Sequence, residues 1–344
     1  MASSPFLPSL AALMLAMSAS ATAAAAATLD PALPAYVPQA VKVPAAAGYL
    51  DRKTGAAMIG GAEHVATVVG QWNALFAASH PGIVLGFEGK GTSSAVPLLM
   101  HDKVLFGAMG RAINAIELVP YRKIVGRDAL EIRIAHTAST PDGSLATSLA
   151  VYVNRANPLT QLTAGQVSQI LSVGNPGGDV SRWGQLGLSG EWRERAIHPY
   201  GTAAWTGFGD YLQREHFQGR ALTPNHEELG NTAAITGRIA QDPAGIGVAA
   251  LGVRHPQLRQ LAIVGADGQP ATGTDEEVVS GRYPYGRYVY LYVRRLPGQA
   301  VDPLAKEYLR LVLSREGQAI IAAQPGGYLP LTAAQARAEL EKLE

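Results

Sequence analysis

Glycine and hydroxyl residues follow a short apolar run near residue 90, and their types suit the binding of an anion. In the run KGTSS, residues 90–94, Thr92, Ser93 and Ser94 offer three hydroxyl donors, and Gly91 lets the backbone approach a ligand. A buried oxyanion needs aligned donors, which the free N–H groups and the dipole of a helix N-terminus also supply. The spacing is not that of a nucleotide-binding P-loop. An ordinary helix N-cap is the alternative, because Ser and Thr are preferred there.

Two more glycine-rich loops have a similar character. In GGAEH, residues 60–64, the N–H groups of Ala62, Glu63 and His64 would face a ligand, although the Glu63 carboxylate disfavours an anion directly above this turn. In GAMGRA, residues 107–112, Gly110 precedes Arg111, whose guanidinium could hold an oxyanion by two hydrogen bonds. A plain turn and a solvated surface arginine are the respective alternatives.

A fourth candidate lies further along, in YGTAAWTGFGDYL, residues 200–212. Thr202, Thr206 and Gly207 stand where a helix is predicted to begin, so they could direct donors across a cleft. The alternative is a helix cap with Trp205 and Phe208 in the core.

Patterns typical of catalysis or metal binding are missing from the sequence. Neither G-x-S-x-G nor H-E-x-x-H occurs, and the eight histidines have no metal-ligand spacing. The sequence therefore predicts a binding protein that is not an enzyme and has no metal or cofactor.

Composition indicates a folded chain of about two domains. It has 344 residues, 47% of them hydrophobic and 16% charged, and about 150 residues per domain is the usual prior. The net charge of +1, without a long basic run, predicts no nucleic-acid partner. The chain has no cysteine, which excludes disulfides, thiolate sites and a lipidated cysteine.

The N-terminal residues 1–27 read as a cleavable signal peptide. A short apolar stretch at residues 7–17 precedes small residues up to 27, with several A-x-A cleavage sites. A transmembrane anchor is the alternative, but the stretch is shorter than the ~20 residues that a span needs. We therefore expect a periplasmic or secreted protein without stable membrane insertion, in which residues 28–47 form a leader rich in Pro and Ala.

The elements that must position these residues alternate along the chain. Strand, glycine-rich turn and helix occur three times in succession, which predicts a mostly parallel sheet whose ligands lie beyond the carboxyl ends of the strands. Strands are predicted at 56–59, 83–87, 104–108, 132–135, 149–154, 197–201, 245–250 and 288–293. Helices are predicted at 63–78, 95–100, 164–171, 205–217 and 226–242, and another begins at Asp302-Pro303.

These elements predict an α/β fold of two lobes, each a mostly parallel mixed sheet flanked by helices. The first lobe would hold residues 48–148 and 286–344, and the second residues 149–285. The strands at 149–154 and 288–293 are the predicted hinge strands.

From about residue 48 to 331, the order of these segments resembles the phosphate-binding proteins of bacterial ABC uptake systems, which are type II periplasmic receptors. The segments are LAVYVNRANPLTQLT at 149–163, WGQLG at 183–187, YGTAAWTGFGDYLQREHF at 200–217, GIGVAAL at 245–251 and the stretch 280–331. The resemblance implies phosphate held between two lobes by N–H and hydroxyl groups. It puts residues 62–64, 92–94 and 110–111 of the first lobe at the ligand.

The chain departs from the family at the second-lobe motif Arg-x3-Ser-Gly-Thr. Thr202 stands where the arginine is expected, and Thr206-Gly207-Phe208 stands for Ser-Gly-Thr. The family's acidic acceptor is also not clear after Ala108. A hydrogen bond to a charged group contributes ~1.5–3 kcal/mol, or one to two decades in affinity, so these losses bear on phosphate binding.

Three hypotheses follow from the sequence. The first is a monomeric receptor for inorganic phosphate or a related oxyanion that serves an ABC permease. The second is a protein that kept the binding fold but lost phosphate, and acts in adhesion, signalling or protein partnering. The third is a phosphoester hydrolase, for which no nucleophile with a base or a metal is visible.

Overall fold

The computed structural model of the chain describes residues 28–141, 145–324 and 327–344. The predicted signal peptide, residues 1–27, lies outside these residues. Within the described ranges, the helices are all too short or too polar to span a bilayer.

Strands and helices alternate along most of the described chain. The strands are β1 (Ala57–Gly61), β2 (Leu85–Gly89), β3 (Phe106–Met109), β4 (Leu130–His136), β5 (Leu149–Asn154), β6 (Gln161–Thr163), β7 (His198–Gly201), β8 (Glu227–Glu228), β9 (Gly245–Ala250), β10 (Leu258–Gln260), β11 (Ala262–Val264), β12 (Pro270–Ala271) and β13 (Tyr288–Val293). The α-helices are α1 (Ala66–Ser79), α2 (Ala95–Met100), α3 (Ala115–Val125), α4 (Ala164–Leu171), α5 (Gly207–Glu215), α6 (Thr232–Gln241), α7 (Asp275–Val279), α8 (Pro303–Val312), α9 (Arg315–Ala322) and α10 (Ala333–Glu341).

The first five-stranded sheet has the order β2-β1-β3-β13-β4. Strands β1, β2 and β3 are parallel, and β13 is antiparallel to both of its neighbours. Gly61, at the end of β1, pairs with Gly89 on one side and Ala108 on the other, so three strands end at one edge of the sheet. The loops that follow them are therefore brought together. Helices α1, α8 and α9 bury Trp72 and Tyr308 against this sheet.

The second five-stranded sheet has the order β10-β5-β9-β7-β8, and a small sheet β12-β11-β6 lies in the same part of the chain. Strand β5 is antiparallel to β9 and β10, whereas β7 is parallel to β8 and β9. Helix α6 packs on β9 and buries Ile235 and Ile239. We call the part built on the first sheet the first lobe and the part built on the second sheet the second lobe. The predicted α/β class, with two mixed sheets flanked by helices, is confirmed. The prediction that each sheet is mostly parallel was wrong, because each has two parallel and two antiparallel pairings: β13 and β5, the strands after the crossings, run antiparallel to both of their neighbours.

The chain crosses between the lobes twice, before β5 and before β13, and the two crossings are hydrogen-bonded to each other. The Thr137 N–H donates to the carbonyl oxygen of Arg287 (3.0 Å), and the Leu149 N–H donates to that of Tyr285 (3.1 Å). The two strands predicted at the hinge are thus the ones that immediately follow these crossings.

Most predicted elements are confirmed to within a few residues, but one helix was predicted wrongly. Residues 226–242 are not a single helix, because Glu227 and Glu228 pair as a strand with Tyr200 and Gly201 of β7. Helix α6 begins only after Asn231, whose side chain accepts a hydrogen bond from the Ala234 N–H (2.9 Å). Pairing with a neighbouring strand has overridden the local helical pattern at this position.

Candidate functional site

A cavity of about 410 Å³ lies between the two lobes, where the loops after the parallel strands of the first lobe face helix N-termini of the second. We call it the inter-lobe cavity. It receives seven of the eleven residues predicted from the sequence, together with residues of both crossings. The lining residues are His64, Thr92, Gly110, Arg111, Leu145, Ala146, Thr147, Thr202, Thr206, Gly207, Phe208, Gly230, Asn231, Thr232 and Arg287.

Four predicted residues do not line this cavity. The Ala62 N–H is used in the sheet, where it donates to the carbonyl oxygen of Ala108 (2.9 Å). Glu63 and Ser93 are exposed. The Ser94 hydroxyl donates to the carbonyl oxygen of Gly91 (2.7 Å) and so helps to hold the turn. Of the three hydroxyls in this loop, only that of Thr92 belongs to a residue of the cavity wall.

Arg111 lines the inter-lobe cavity, but its charge is already matched. Both terminal nitrogens of its guanidinium donate to the Glu117 carboxylate, at 2.7 and 2.6 Å, and one of them also donates to the carbonyl oxygen of Ala112 (3.0 Å). The Glu117 carboxylate also accepts a hydrogen bond from the Asn114 N–H in the capping box of α3. Arg111 is therefore held in place by Glu117 and is not an unpaired cationic clamp.

The unpaired cation of the cavity is Arg287, which the sequence analysis missed. It is 5% exposed, and it donates to the carbonyl oxygens of Thr147 (2.9 Å) and Gly110 (3.1 Å). Its guanidinium carbon lies 5.2 Å from the ring centroid of Phe208 and 5.3 Å from that of Tyr211. In the described part of the chain, no carboxylate forms an ion pair with it. Burial lowers the pKa of Arg287, and the charge of Arg111 acts in the same direction, but an arginine remains protonated at neutral pH.

The second lobe presents two helix N-termini to the cavity. At the start of α5, the Thr206 hydroxyl oxygen accepts from the Gly209 N–H (3.0 Å) and lies 2.8 Å from both the Ala203 carbonyl oxygen and the Thr202 hydroxyl oxygen, and its single proton goes to one of these two. The Thr202 hydroxyl belongs to a residue of the cavity wall and lies within hydrogen-bond distance of that of Thr206. At the start of α6, the side-chain oxygen of the cap residue Asn231 accepts from the Ala234 N–H (2.9 Å). Its NH₂ group is not used in this cap and can donate to a ligand. Both helix dipoles favour a negative charge at these ends.

Comparison with known proteins places the chain in a family. Residues 21–316 match the family model described as the PBP superfamily domain. The chain belongs to the PBP superfamily. It is 28% identical over 325 residues to the phosphate-binding protein PstS of Pseudomonas aeruginosa strain PAO1, covering 93% of this chain and 94% of that protein. The predicted resemblance to phosphate-binding proteins is confirmed.

Two solved structures show the same fold as this PBP-superfamily chain. One is an ABC-type phosphate transport receptor from Vibrio cholerae, with a TM-score of 0.54 and 17% identity, covering 79% of this chain and 99% of that one. The other is PstS from Borrelia burgdorferi, with a TM-score of 0.53 and 15% identity, covering 80% of this chain and 98% of that one.

His64 is the histidine of the inter-lobe cavity, and burial keeps its ring uncharged at neutral pH. Burial lowers its pKa to about 4, and the charge of Arg287 acts in the same direction. Its Nδ1 lies 2.7 Å from the Tyr328 hydroxyl. A Cβ placed on Gly110 would lie 2.6 Å from Nε2, so this nitrogen faces the loop after β3.

The described residues contain no group of three or more His, Asp or Glu side chains arranged to hold a metal ion. The groups that face the inter-lobe cavity are chiefly hydrogen-bond donors: a guanidinium, hydroxyls, an amide and helix N-termini. Such an arrangement can bind an anion by charge and by many hydrogen bonds.

Proposed function

We propose that this chain is the phosphate receptor of an ABC uptake system, and that it binds inorganic phosphate or a related oxyanion in the inter-lobe cavity. In this proposal the chain is exported to the periplasm by residues 1–27, acts as a monomer and delivers its ligand to an ABC permease. The lobes that close on the ligand are those predicted from the sequence, residues 48–148 with 286–344 and residues 149–285. The relationship to PstS of Pseudomonas aeruginosa supports phosphate as the ligand.

The observation that carries the proposal is the buried position of Arg287. A buried charge is costly unless it is paired, and the two carbonyl oxygens that Arg287 contacts are neutral. Its position on the returning crossing puts the guanidinium against the first-lobe residue Gly110 and beside Phe208 of the second lobe. An oxyanion at this point would neutralise the charge and touch both lobes. Arg287 thus offers the cation that the second-lobe motif lacks at Thr202.

The same residues favour binding over catalysis. The hydroxyl of Thr206 is engaged in the cap of α5 and that of Ser94 in a turn, so neither is set beside a general base. We therefore propose that the chain is not an enzyme.

Phosphate binding is tested by calorimetric titration of the mature, phosphate-stripped protein, with sulfate as the comparison anion. We expect one site per chain. A ligand at 100 times its dissociation constant stabilises the folded protein by ~2.7 kcal/mol, so the melting temperature should rise with phosphate. The proposal is wrong if phosphate and sulfate give neither heat nor a thermal shift.

Thr202 and Thr206, four residues apart in the segment before α5, are expected to differ in what they contribute. Thr202→Val removes a hydroxyl that lines the inter-lobe cavity, so phosphate affinity should fall about ten- to hundredfold with little change in stability. Thr206→Val removes the cap of α5 and should cost ~1 kcal/mol of unfolding free energy. Titration calorimetry and chemical denaturation of both variants separate the two roles. A loss of stability rather than affinity in Thr202→Val would contradict the assignment.

A further inference from the structure

A second cavity, of about 520 Å³, continues from the inter-lobe cavity. The two have five lining residues in common: Leu145, Thr147, Phe208, Asn231 and Thr232. The walls of the second cavity include the apolar side chains of Leu145, Phe208, Ala233, Ala250 and Val253. We call it the apolar chamber.

Several polar atoms in the walls of the apolar chamber are engaged within the described part of the protein, whereas the NH₂ group of Asn231, which lines both cavities, is not. The Thr147 carbonyl oxygen accepts from Arg287 (2.9 Å). The Thr232 hydroxyl oxygen accepts from the Ala250 N–H (3.2 Å), and the Thr236 hydroxyl donates to the Thr232 carbonyl oxygen (2.8 Å). The surface that the chamber offers to an occupant is therefore mainly hydrocarbon.

The ring of Phe208 joins the chamber to the charged end of the inter-lobe cavity. Its centroid lies 5.2 Å from the guanidinium carbon of Arg287, and the same side chain lines both cavities. Phe208 is therefore a wall that the two cavities share, close to the guanidinium.

We propose that the site takes a phosphoryl oxyanion carrying a short apolar substituent, which is a phosphonate or a phosphate monoester. The phosphoryl group lies at Arg287 and the substituent enters the apolar chamber. This inference rests on the proposed oxyanion function and narrows its ligand class. An apolar cavity of roughly 150 Å³ is enough to hold benzene, so the chamber has room for a propyl or a phenyl group. Inorganic phosphate has nothing to place there.

Titration with methyl-, propyl- and phenylphosphonate, beside inorganic phosphate, tests the size and polarity of the substituent. A buried methylene contributes about fourfold in affinity, so propylphosphonate should bind about tenfold more tightly than methylphosphonate. Phenylphosphonate should also bind more tightly than methylphosphonate.

Substitutions at two neighbouring alanines test whether the substituent enters the chamber. Ala233 and Ala234 are both exposed on α6, and only Ala233 lines the chamber. Ala233→Phe should fill the chamber and bring the affinities for propyl- and methylphosphonate within about twofold of each other, while binding of inorganic phosphate persists. Ala234→Phe, the matched control, should keep the tenfold preference.

The outcomes separate the two proposals. If phosphate binds but propyl- and phenylphosphonate bind no more tightly than methylphosphonate, the role of the chamber is overturned and the proposed function stands. An unchanged preference in Ala233→Phe would also overturn it, because the substituent would then lie elsewhere. If no member of the series binds, the oxyanion site itself fails, and the chamber proposal fails with it.

Discussion

Replacing Arg287 by glutamine is expected to weaken phosphate binding about a hundredfold or more while leaving the chain folded. Loss of one partner of a buried, hydrogen-bonded charge pair typically costs ~2–5 kcal/mol of binding free energy. The free protein should lose far less, because the substitution also removes an uncompensated buried charge. Glutamine still offers an NH₂ group to the carbonyl oxygens of Thr147 and Gly110. Titration calorimetry gives the affinity, and melting curves with and without phosphate give the stability.

Arg133→Gln is the matched control for this experiment. Arg133 lies on β4, next to the strand that follows Arg287, and it is exposed and stacked over the ring of Tyr288 (4.5 Å). The same charge is removed, but from a position where water and salt screen it, so phosphate affinity should change by about threefold at most. Wild-type affinity in Arg287→Gln would mean that phosphate does not bind at this arginine.

Much of the first-lobe site could be predicted because it follows from sheet topology. Glycine-rich turns after successive strands indicated parallel strands, and the carboxyl ends of parallel strands share one edge. His64, Thr92 and Gly110 lie far apart in sequence, yet they line one cavity for this reason. What the pattern could not fix was the direction of each side chain. Ser93, for example, carries a hydroxyl that could donate to a ligand, but the residue is exposed and does not line the cavity.

Arg287 could not be identified from the sequence because its surroundings are non-local. Its two carbonyl partners, Thr147 and Gly110, are 140 and 177 residues away. Locally it is an arginine before a tyrosine-rich strand, which is also the pattern of an exposed strand end. The role of Arg111 was hidden in a similar way, since only the folded turn before α3 brings its guanidinium to Glu117.

The N-cap position of Asn231, in contrast, could have been predicted from the sequence. Asparagine is a strong N-cap residue, and here it stands between Gly230 and a run with helical periodicity. The prediction of one helix over 226–242 placed Asn231 inside the helix and concealed a helix N-terminus. That N-terminus is one of the two that the second lobe presents to the inter-lobe cavity.

Adding one methyl group is expected to have opposite effects at two glycines of the first lobe. At Gly61 the backbone φ is 133°, and a Cβ would lie 2.2 Å from the carbonyl oxygen of Ala108. That oxygen also accepts the Ala62 N–H, so an alanine here would force β1 away from β3. We expect Gly61→Ala to lower the unfolding free energy by ~3 kcal/mol or more, because strain and overpacking act together. Chemical denaturation measures the change.

Gly70→Ala is the control, in the middle of the exposed face of α1. A Cβ there meets nothing within 4 Å, and alanine is a better helix former than glycine, so the unfolding free energy should rise by ~0.5–1 kcal/mol. The effect of Gly61→Ala should extend to binding, because the turn that carries His64 into the inter-lobe cavity begins at this residue. A Gly61→Ala protein with wild-type stability would contradict the pairing of Gly61 with Ala108. Normal phosphate binding by a destabilised Gly61→Ala protein would instead show that the ligand does not depend on this turn.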